Sequence, residues 1–539
     1  MSITSEFLRL KNAKVAIKNI LSHEGIDAPE NLPLSSFSSY ISQLEAPQGT
    51  DALASAFFNR YKESSFYLDK SSISSLKEGL FMGCSTLKRA ELTKIKEVPL
   101  SAFGNCGNLI EVSFPECTSI GPEAFMFCYS LSSAFFPVCN IINSSAFFSC
   151  SSLSEASFPL CSTIGSSAFC RCSKLRTVNF PACTEIKSSA FFWCSSLSEI
   201  SFPSCSRIEK GAFSSCYSLK TASFPNCTFL DEAAFYYCSS LSEAYFPNAS
   251  QVGNSAFACC TSLTEVSLPS CTSVGMCAFS RCTSLSQISL PLCTSIGYYA
   301  FSDCSHLVEV SLPSCEGIYG SAFYQCSSLT RVSFPVCTYI GYNTFYKCSS
   351  LLDVSLPVCS CIDGYAFNGC TSLTEVSLPS CTSVGTGAFS GCTSLTAVSL
   401  PLCTSVGQGA FNGCTSLPEV NLPACTSLYQ QAFKDCYALS SVSLPVCQIV
   451  SNSTFYDCQA LTSISLPCCT SIGSNAFKSC SNLSIIYIGT DTCSLRSSKA
   501  FEGTGITSNT GSICVPVSRV SFYQSSQNWS YFKTQIVGY

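Results

Sequence analysis

From Phe81 onward the chain repeats one pattern of apolar and polar positions with a fixed period of 22 residues. Leucine recurs at Leu87, Leu109, Leu131 and so on to Leu483, nineteen times without a slip. Phenylalanine keeps the same step from Phe81 through Phe103 to Phe477, and proline keeps it from Pro115 through Pro137 to Pro467. The unit reads A-F-x-x-C-[ST]-x-L-x-x-[VAI]-x-[LF]-P-x-C-x-x-[IV]-G-x-x. A repeat this strict overrides the expectation of several compact domains that a chain of 539 residues would otherwise carry.

Each part of the unit predicts an element. The stretch L-x-x-[VAI]-x-[LF] alternates apolar and polar positions, which fits a short strand, and the proline fixes φ where that strand stops. The A-F-x-x-C segment is too short for more than a helical or 3₁₀ turn. The [IV]-G pair suits a second bend, with glycine supplying φ > 0. One unit of this size cannot bury its own apolar face, whereas stacked copies do. The pattern therefore predicts an α/β-type repeat solenoid of about nineteen coils, with short strands and helical or 3₁₀ turns. Same-column residues then lie about 4.8 Å apart, and the stack extends for roughly 90 Å. Phe257, Cys260, Leu263 and Cys271, with Cys370 and Cys381 of a later coil, fall on its inward columns.

The ends depart from the repeat. Thr4 to His23 carries Leu10, Ala13, Ile17 and Ile20 on one stripe and predicts an amphipathic helix stopped by Gly25. Ser35 to Leu44 predicts a second short helix, and Glu45 to Asp51, with Pro47 and Gly49, reads as a linker. The expected organisation is a helical docking or oligomerisation segment over 1–48, a linker and N-terminal cap over 49–80, the solenoid over 81–490 and a C-terminal cap over 491–539. In that last cap Ile513 to Val515 reads as a strand ended by Pro516. A short helix then precedes Trp529, Tyr531 and Phe532, which plug the last coil.

Most of the 42 cysteines form two columns, Cys84 to Cys480 and Cys117 to Cys469, the second broken only by Ala249. Half a period separates the columns, which puts the two cysteines of one coil across the core from each other. Neighbours along a column come within disulfide Cα range, but their parallel Cβ atoms suit the bond poorly, and an alanine in the series fits a packing role. Buried, reduced thiols acting as small hydrophobes are the expected state, with some disulfides as the alternative. Zinc has little to recommend it, since His23 and His306 are the only histidines and no paired C-x₂-C arrangement occurs. No cofactor is expected.

Charged residues make up only 11% and the net charge is −5, which argues against a basic nucleic-acid surface. No apolar run reaches the roughly 18 residues of a membrane span, and the start MSITSEFLRLKNAKVAIKN lacks the apolar core of a signal peptide. Synthesis in the cytosol is therefore expected, in keeping with reduced thiols.

The motif A-F-x-x-C-x-x-L-x-x-[VI]-x-[LF]-P followed by T-S-[IV]-G resembles the BspA-type (Treponema pallidum-type) leucine-rich repeat over about residues 81–490. The unit here is slightly shorter than the commoner one of that family, and its second cysteine stands where an aliphatic residue is usual. The resemblance implies a binding surface of the kind used for adhesion and recognition, not an active site. The segment LKNAKVAIKNI at Leu10 to Ile20, followed by FSSYI at Phe37 to Ile41, resembles the start of tail or tail-fibre proteins of phages and prophages of gut bacteria. The segment from Gly503 to Tyr539 resembles the close of gut bacterial and phage proteins bearing this repeat. Together these resemblances imply a tail-associated virion component, receptor-binding or fibre-like, made in the host cytoplasm. It would form a homo-oligomer and dock to other tail proteins through its N-terminal helices. The alternatives are a BspA-like cell-surface adhesin of a bacterium or protist, and an intracellular interaction scaffold.

Enzyme chemistry finds few residues to work with. A nucleophilic site needs a base, and His306 occupies a slot that is serine in most other coils. One outward column holds Glu111, Glu155, Glu199, Glu243, Glu265, Glu309, Asp353, Glu375 and Glu419, and adjacent members such as Glu243 and Glu265 could form a glycosidase-like pair. A repeated, solvated stripe without a pocket is nevertheless the ordinary outcome of a solenoid face, and no enzymatic activity is expected. Binding is the better use of such a face. After the A-F pair the coils insert Trp193, Tyr236, Tyr237, Tyr324 and Tyr346, and beside the glycine bend lie Tyr298, Tyr299, Tyr319, Tyr339, Tyr342 and Tyr365. These side chains are the candidate contact surface, suited by their rigid amphipathic rings to a surface glycan or a protein ligand.

Overall fold

The computed structural model describes residues 66–69, 73–508 and 510–539. The repeat folds as a parallel β-solenoid of about twenty turns with little helix. Each full coil contributes two strands. A three-residue strand such as Glu243–Tyr245 pairs in parallel with its equivalent one coil later, Glu243 against Glu265 and Ala244 against Val266. A two-residue strand such as Gln251–Val252 pairs with Ser273–Val274 and belongs to a second ladder, which begins at Glu97–Val98 and ends at Ser494–Leu495. The sequence predicts only a bend at that second strand. With a single inward residue per coil, Val252 or Val274, the segment is too short to show an alternation.

The first ladder is interrupted at three junctions, after Ser133–Phe135, after Thr177–Asn179 and after Glu265–Ser267. At each of them the inward middle residue of the earlier strand, Ala134, Val178 or Val266, is only half-buried. In the paired coils Val310 and Val332 occupy the same column and are buried. The second ladder continues unbroken through all three junctions, so the gaps open on the long-strand side alone.

Inward columns form one continuous apolar core. In one coil Ala278, Phe279, Cys282, Leu285, Ile288, Leu290, Cys293 and Ile296 all point inside and are buried. The phenylalanine column stacks ring on ring, Phe279 and Phe301 having centroids 5.2 Å apart and planes within 1°. In the N-terminal half a second column of phenylalanines meets the first edge-on, as Phe103 meets Phe114 at 5.7 Å and 63°, an arrangement favoured by the ring quadrupole. From Leu268 onward leucine takes most of that second column, and aliphatic packing replaces the edge-on contacts.

The A-F-x-x-C turn consists of i→i+3 bonds, such as Ser280 N–H to Cys277 O and Cys282 N–H to Phe279 O, interleaved with bonds to the next coil, such as Phe279 N–H to Ala300 O. Two residues in most coils adopt φ > 0, the one before Ala-Phe and the one two positions after Phe, as at Cys277 (φ 56°) and Arg281 (φ 60°). The glycine of the [IV]-G pair is not among them, contrary to the expectation from sequence. Its reason is proximity: a β-carbon on Gly297 would lie 2.7 Å from the carbonyl carbon of Gly275 in the preceding coil.

At the N-terminal side Phe66–Asp69 pairs with Leu87–Glu91 and extends the first ladder. The helices expected over 1–48 lie outside the described residues. At the other end Ser512–Val515 and Ile536–Gly538 continue the same ladder, and Val520–Ser525 is a short α-helix, α1. Trp529 and Phe532 are buried against Phe501, with ring centroids 6.1 and 5.2 Å away, and Trp529 Nε1–H donates to Cys493 O at 2.7 Å. Tyr531 is 74% exposed and takes no part in the plug expected of it. Trp529–Phe532 is a 3₁₀ turn, in which i and i+3 share a face and the intervening residues do not. Among the described residues no helix is long and apolar enough to cross a membrane.

Candidate binding surface

The cysteine columns are structural. Phe257, Cys260, Leu263, Cys271, Cys370 and Cys381 are all fully buried. Each column also makes one repeated contact: Cys260 Sγ–H donates to Phe235 O in the preceding coil at 3.2 Å, and Cys271 Sγ–H donates to Ser273 O at 3.2 Å. A thiol here fills a small apolar space and satisfies a carbonyl, as the burial of Ala249 in the same column as Cys271 underlines. Burial pushes the Cys117 thiol up to about 11 and the Cys304 thiol up to about 12, which opposes formation of a nucleophilic thiolate.

Hydroxyl columns tie neighbouring coils together from outside. Thr272 Oγ1–H donates to Ser250 O at 2.9 Å, and Thr264 Oγ1–H donates to Ser242 O at 3.1 Å. Most carboxylates of the outward strand column are exposed, including Glu243, Glu265 and Glu309, while Glu111 is half-buried and paired with Arg89. Glu265 and Glu309 flank Gln287 on an open groove of about 660 Å³ that lies over the gap in the ladder beside the half-buried Val266. His306 is exposed, with Nδ1 2.6 Å from Thr283 O.

The aromatic candidates fall into contacting groups. Tyr298 and Tyr319 have ring centroids 5.2 Å apart, Tyr342 and Tyr365 meet edge-on at 5.5 Å, and Tyr324 stacks on Tyr346 at 5.0 Å. Tyr339 Oη–H donates to Asp363 Oδ2 at 2.8 Å; burial and that carboxylate together push its phenol up to about 12. Tyr298, Tyr299, Tyr319, Tyr339 and Tyr342 are exposed, and Tyr324, Tyr346 and Tyr365 are half-buried. In the earlier coils Tyr236 meets Tyr237 edge-on at 4.6 Å, and the Arg171 guanidinium lies 5.4 Å from the Trp193 ring centroid.

Glycines in the following coil hold several of these rings. A β-carbon on Gly320 would meet the Tyr298 ring at 3.4 Å, and one on Gly364 would meet the Tyr342 ring at 3.2 Å. The column therefore alternates Tyr298, Gly320, Tyr342, Gly364, each ring lying over the gap left by the next residue. Trp193, Tyr237, Tyr299 and Tyr365 also sit in the left-handed region, with φ between 55° and 60°, where a bulky side chain is unusual. Sequence reasoning found the rings but not their glycine partners, because a glycine outside the [IV]-G motif carries no pattern of its own. Exposed Tyr429 stands on a further groove whose lining includes amides, hydroxyls, Ile449 and Arg496, and no motif in the repeat points to it.

Coils of 22 residues, two parallel ladders and stacked phenylalanines define a leucine-rich solenoid, and the family follows from a match to the BspA type leucine rich repeat region in overlapping segments 27–132, 140–262, 250–360, 338–462 and 404–528. The chain belongs to the BspA-type leucine-rich repeat family. BspA-type repeats are typically those of binding proteins without enzymatic activity. Among solved structures, a leucine-rich repeat protein from Bacteroides ovatus is 23% identical, with 74% of this chain and 88% of that chain covered and a TM-score of 0.45. A leucine rich cell surface protein from Faecalibacterium prausnitzii is 22% identical, with 62% of this chain and 87% of that chain covered and a TM-score of 0.34. A leucine-rich repeat protein from T. pallidum is 31% identical, with 33% of this chain and 78% of that chain covered and a TM-score of 0.25. No curated protein matches the chain. BspA-type membership favours the cell-surface alternative and lends nothing to the virion-tail reading, whose residues 1–48 lie outside those described.

Proposed function

We propose that this protein is a BspA-like surface adhesin that recognises a glycan or protein ligand through the tyrosine-bearing turn edge of its solenoid. The observation that carries the reading is the set of exposed rings from Tyr298 to Tyr342, in which Tyr298 packs against Tyr319 and the rings of Tyr298 and Tyr342 are seated over Gly320 and Gly364 of the next coil. Ordering large side chains at an interface usually opposes binding by about 0.5–1.5 kcal/mol each, and rings already held in place avoid much of that loss. Membership of a family of binding proteins supports the same reading.

The experiment is an adherence assay with the full chain and with a Tyr299→Ala/Tyr324→Ala/Tyr342→Ala variant, together with fractionation of envelopes, cytosol and particles from producing cells. The proposal expects the protein on envelopes, and adherence lost at least tenfold in a variant that melts like the parent. Unchanged adherence by the folded variant removes this edge, and recovery only from particles or only from cytosol sends the assignment back to the tail component or the scaffold.

A further inference from the structure

Two open grooves among the described residues differ in charge. The one beside Val266 has Glu265 and Glu309 as its only charged lining residues. The other, of about 540 Å³, lies on the turn edge of the last coils and has Arg496 as its only charged lining residue. Its construction follows from one column. The position that holds Gly407 is taken by Tyr429, Ser451, Gly473 and Arg496 in the four coils that follow, the last because Ile472 pairs with Leu495. A 52% exposed ring thus stands at one end and an exposed guanidinium at the other, three coil rises or about 14 Å apart, with only Ser451 and Gly473 between them. Amides of Gln408, Gln430 and Asn452 line the same groove. Asn452 is oriented by the next coil: Oδ1 accepts from Ser474 N–H at 2.9 Å, which leaves the carboxamide N–H₂ as a donor. Among the described residues Arg496 is in no ion pair with an Asp or Glu, unlike Arg519, which is held by Asp491 at 2.9 Å.

We infer that this groove binds a short anionic saccharide, a reading that rests on the adhesin proposal and deepens it. A ring offers stacking area to the apolar face of a sugar, carboxamides and serine hydroxyls pair with its hydroxyls, and a guanidinium fork pairs with a carboxylate or a phosphate. The volume falls in the range of about 300–1,000 Å³ usual for ligand sites. A neutral saccharide would leave the arginine without a partner. A protein loop would have to bring an acidic side chain to one end and an apolar one to the other, matched to the fixed separation of Arg496 and Tyr429.

Two sources share this chemistry, uronic-acid polymers and phosphodiester-linked wall polymers. Binding of the full chain to polygalacturonate, to a phosphodiester-linked poly(N-acetylglucosamine 1-phosphate) and to neutral dextran is compared by titration calorimetry. Binding to one of the first two and not to dextran is expected, with a tenfold or greater loss in Tyr429→Ala and in Arg496→Gln, and with part of the affinity kept in Arg496→Lys, which retains the charge but not the fork. The two anionic polymers tell the sources apart. Binding to neither polymer, equal binding to dextran, or variants that bind like the parent while melting like it would each overturn the inference. Loss of cell adherence in the Tyr299/Tyr324/Tyr342 variant with no polymer binding would sink this groove alone and leave the adhesin reading in place.

Discussion

The ring of Tyr365 lies over Gly387 of the following coil, so close that a β-carbon on Gly387 would come within 2.6 Å of the tyrosine Cε1. The contact ties a candidate ligand-binding side chain to a glycine that no motif in the repeat requires. It also makes the ring's position testable without touching the ring.

Gly387→Ala is expected to push the Tyr365 ring out and to lower stability by about 1–2 kcal/mol beyond the strain of placing alanine at φ +60°. Gly409→Ala is the control. It sits in the same column at φ +59°, and its β-carbon would meet nothing nearer than Asn412 Cβ at 3.8 Å. Thermal melts of the two variants separate ring displacement from backbone strain. Equal losses would mean that the glycine does not hold the ring.

Trp193→Gly is expected to leave stability within about 1 kcal/mol of the parent. Tryptophan at φ 60° carries left-handed strain of roughly 1–2 kcal/mol, and glycine occupies the same column at Gly369, Gly391 and Gly413. Against that relief stands the loss of the Arg171 contact, worth about 0.5–1 kcal/mol at an exposed site. Denaturant melts check the balance. A fall of the size seen for a core phenylalanine would mean that the Trp193 ring is a structural member of the coil.

The period of the chain made the solenoid readable, because every inward position recurs at the same step and Leu263 or Phe257 needs no alignment to be placed. The second strand ladder was not readable. Its strands are two residues long, as at Ser273–Val274, and register as a bend until a neighbouring coil supplies the partner. The role of glycine was misjudged for a related reason: at Gly297 the constraint comes from the backbone of the preceding coil and not from the residue's own φ. Adjacency to Trp529 and Phe532 puts Tyr531 in the cap core by sequence, yet a 3₁₀ turn sends it to solvent. In the candidate surface the rings were visible as departures from the consensus, while the groove between Tyr429 and Arg496 depends on a change of spacing that becomes meaningful only once Ile472 is seen paired with Leu495.

Two inward columns should respond differently to truncation. Leu263→Ala removes a fully buried side chain and is expected to lower stability by about 2–5 kcal/mol. Cys271→Ala is expected to lower it by only about 1 kcal/mol, since Ala249 already fills that column without exposure and the lost contact is a weak thiol bond to Ser273 O. Chemical melts of both variants give the comparison. A cysteine variant as damaged as the leucine variant would show that the thiol does more than pack.

The cysteine columns predict a sharp alkaline limit. Burial pushes the thiols of Cys403 and Cys425 up to about 11 and that of Cys161 up to about 12, whereas an unfolded cysteine ionises near 8.5. Since the folded values are the higher ones, the unfolded chain loses protons first as pH rises. The stabilisation is complete below about pH 8.5 and is lost progressively towards pH 11 to 12, at about 1.4 kcal/mol per pH unit for each such thiol. With most thiols of the two columns acting in the same sense, the denaturant midpoint measured under reducing conditions is expected to hold steady from pH 6 to 8 and to collapse between about pH 9 and 10.5. Alkylation at pH 8 gives an independent reading of the same burial. In the folded protein it is expected to reach exposed Cys468 and the half-buried Cys259, Cys277 and Cys361, against all 42 cysteines after denaturation and reduction. A midpoint that stays level to pH 10.5, or folded protein that takes up label along the columns, would mean that the thiols do not form a buried ladder.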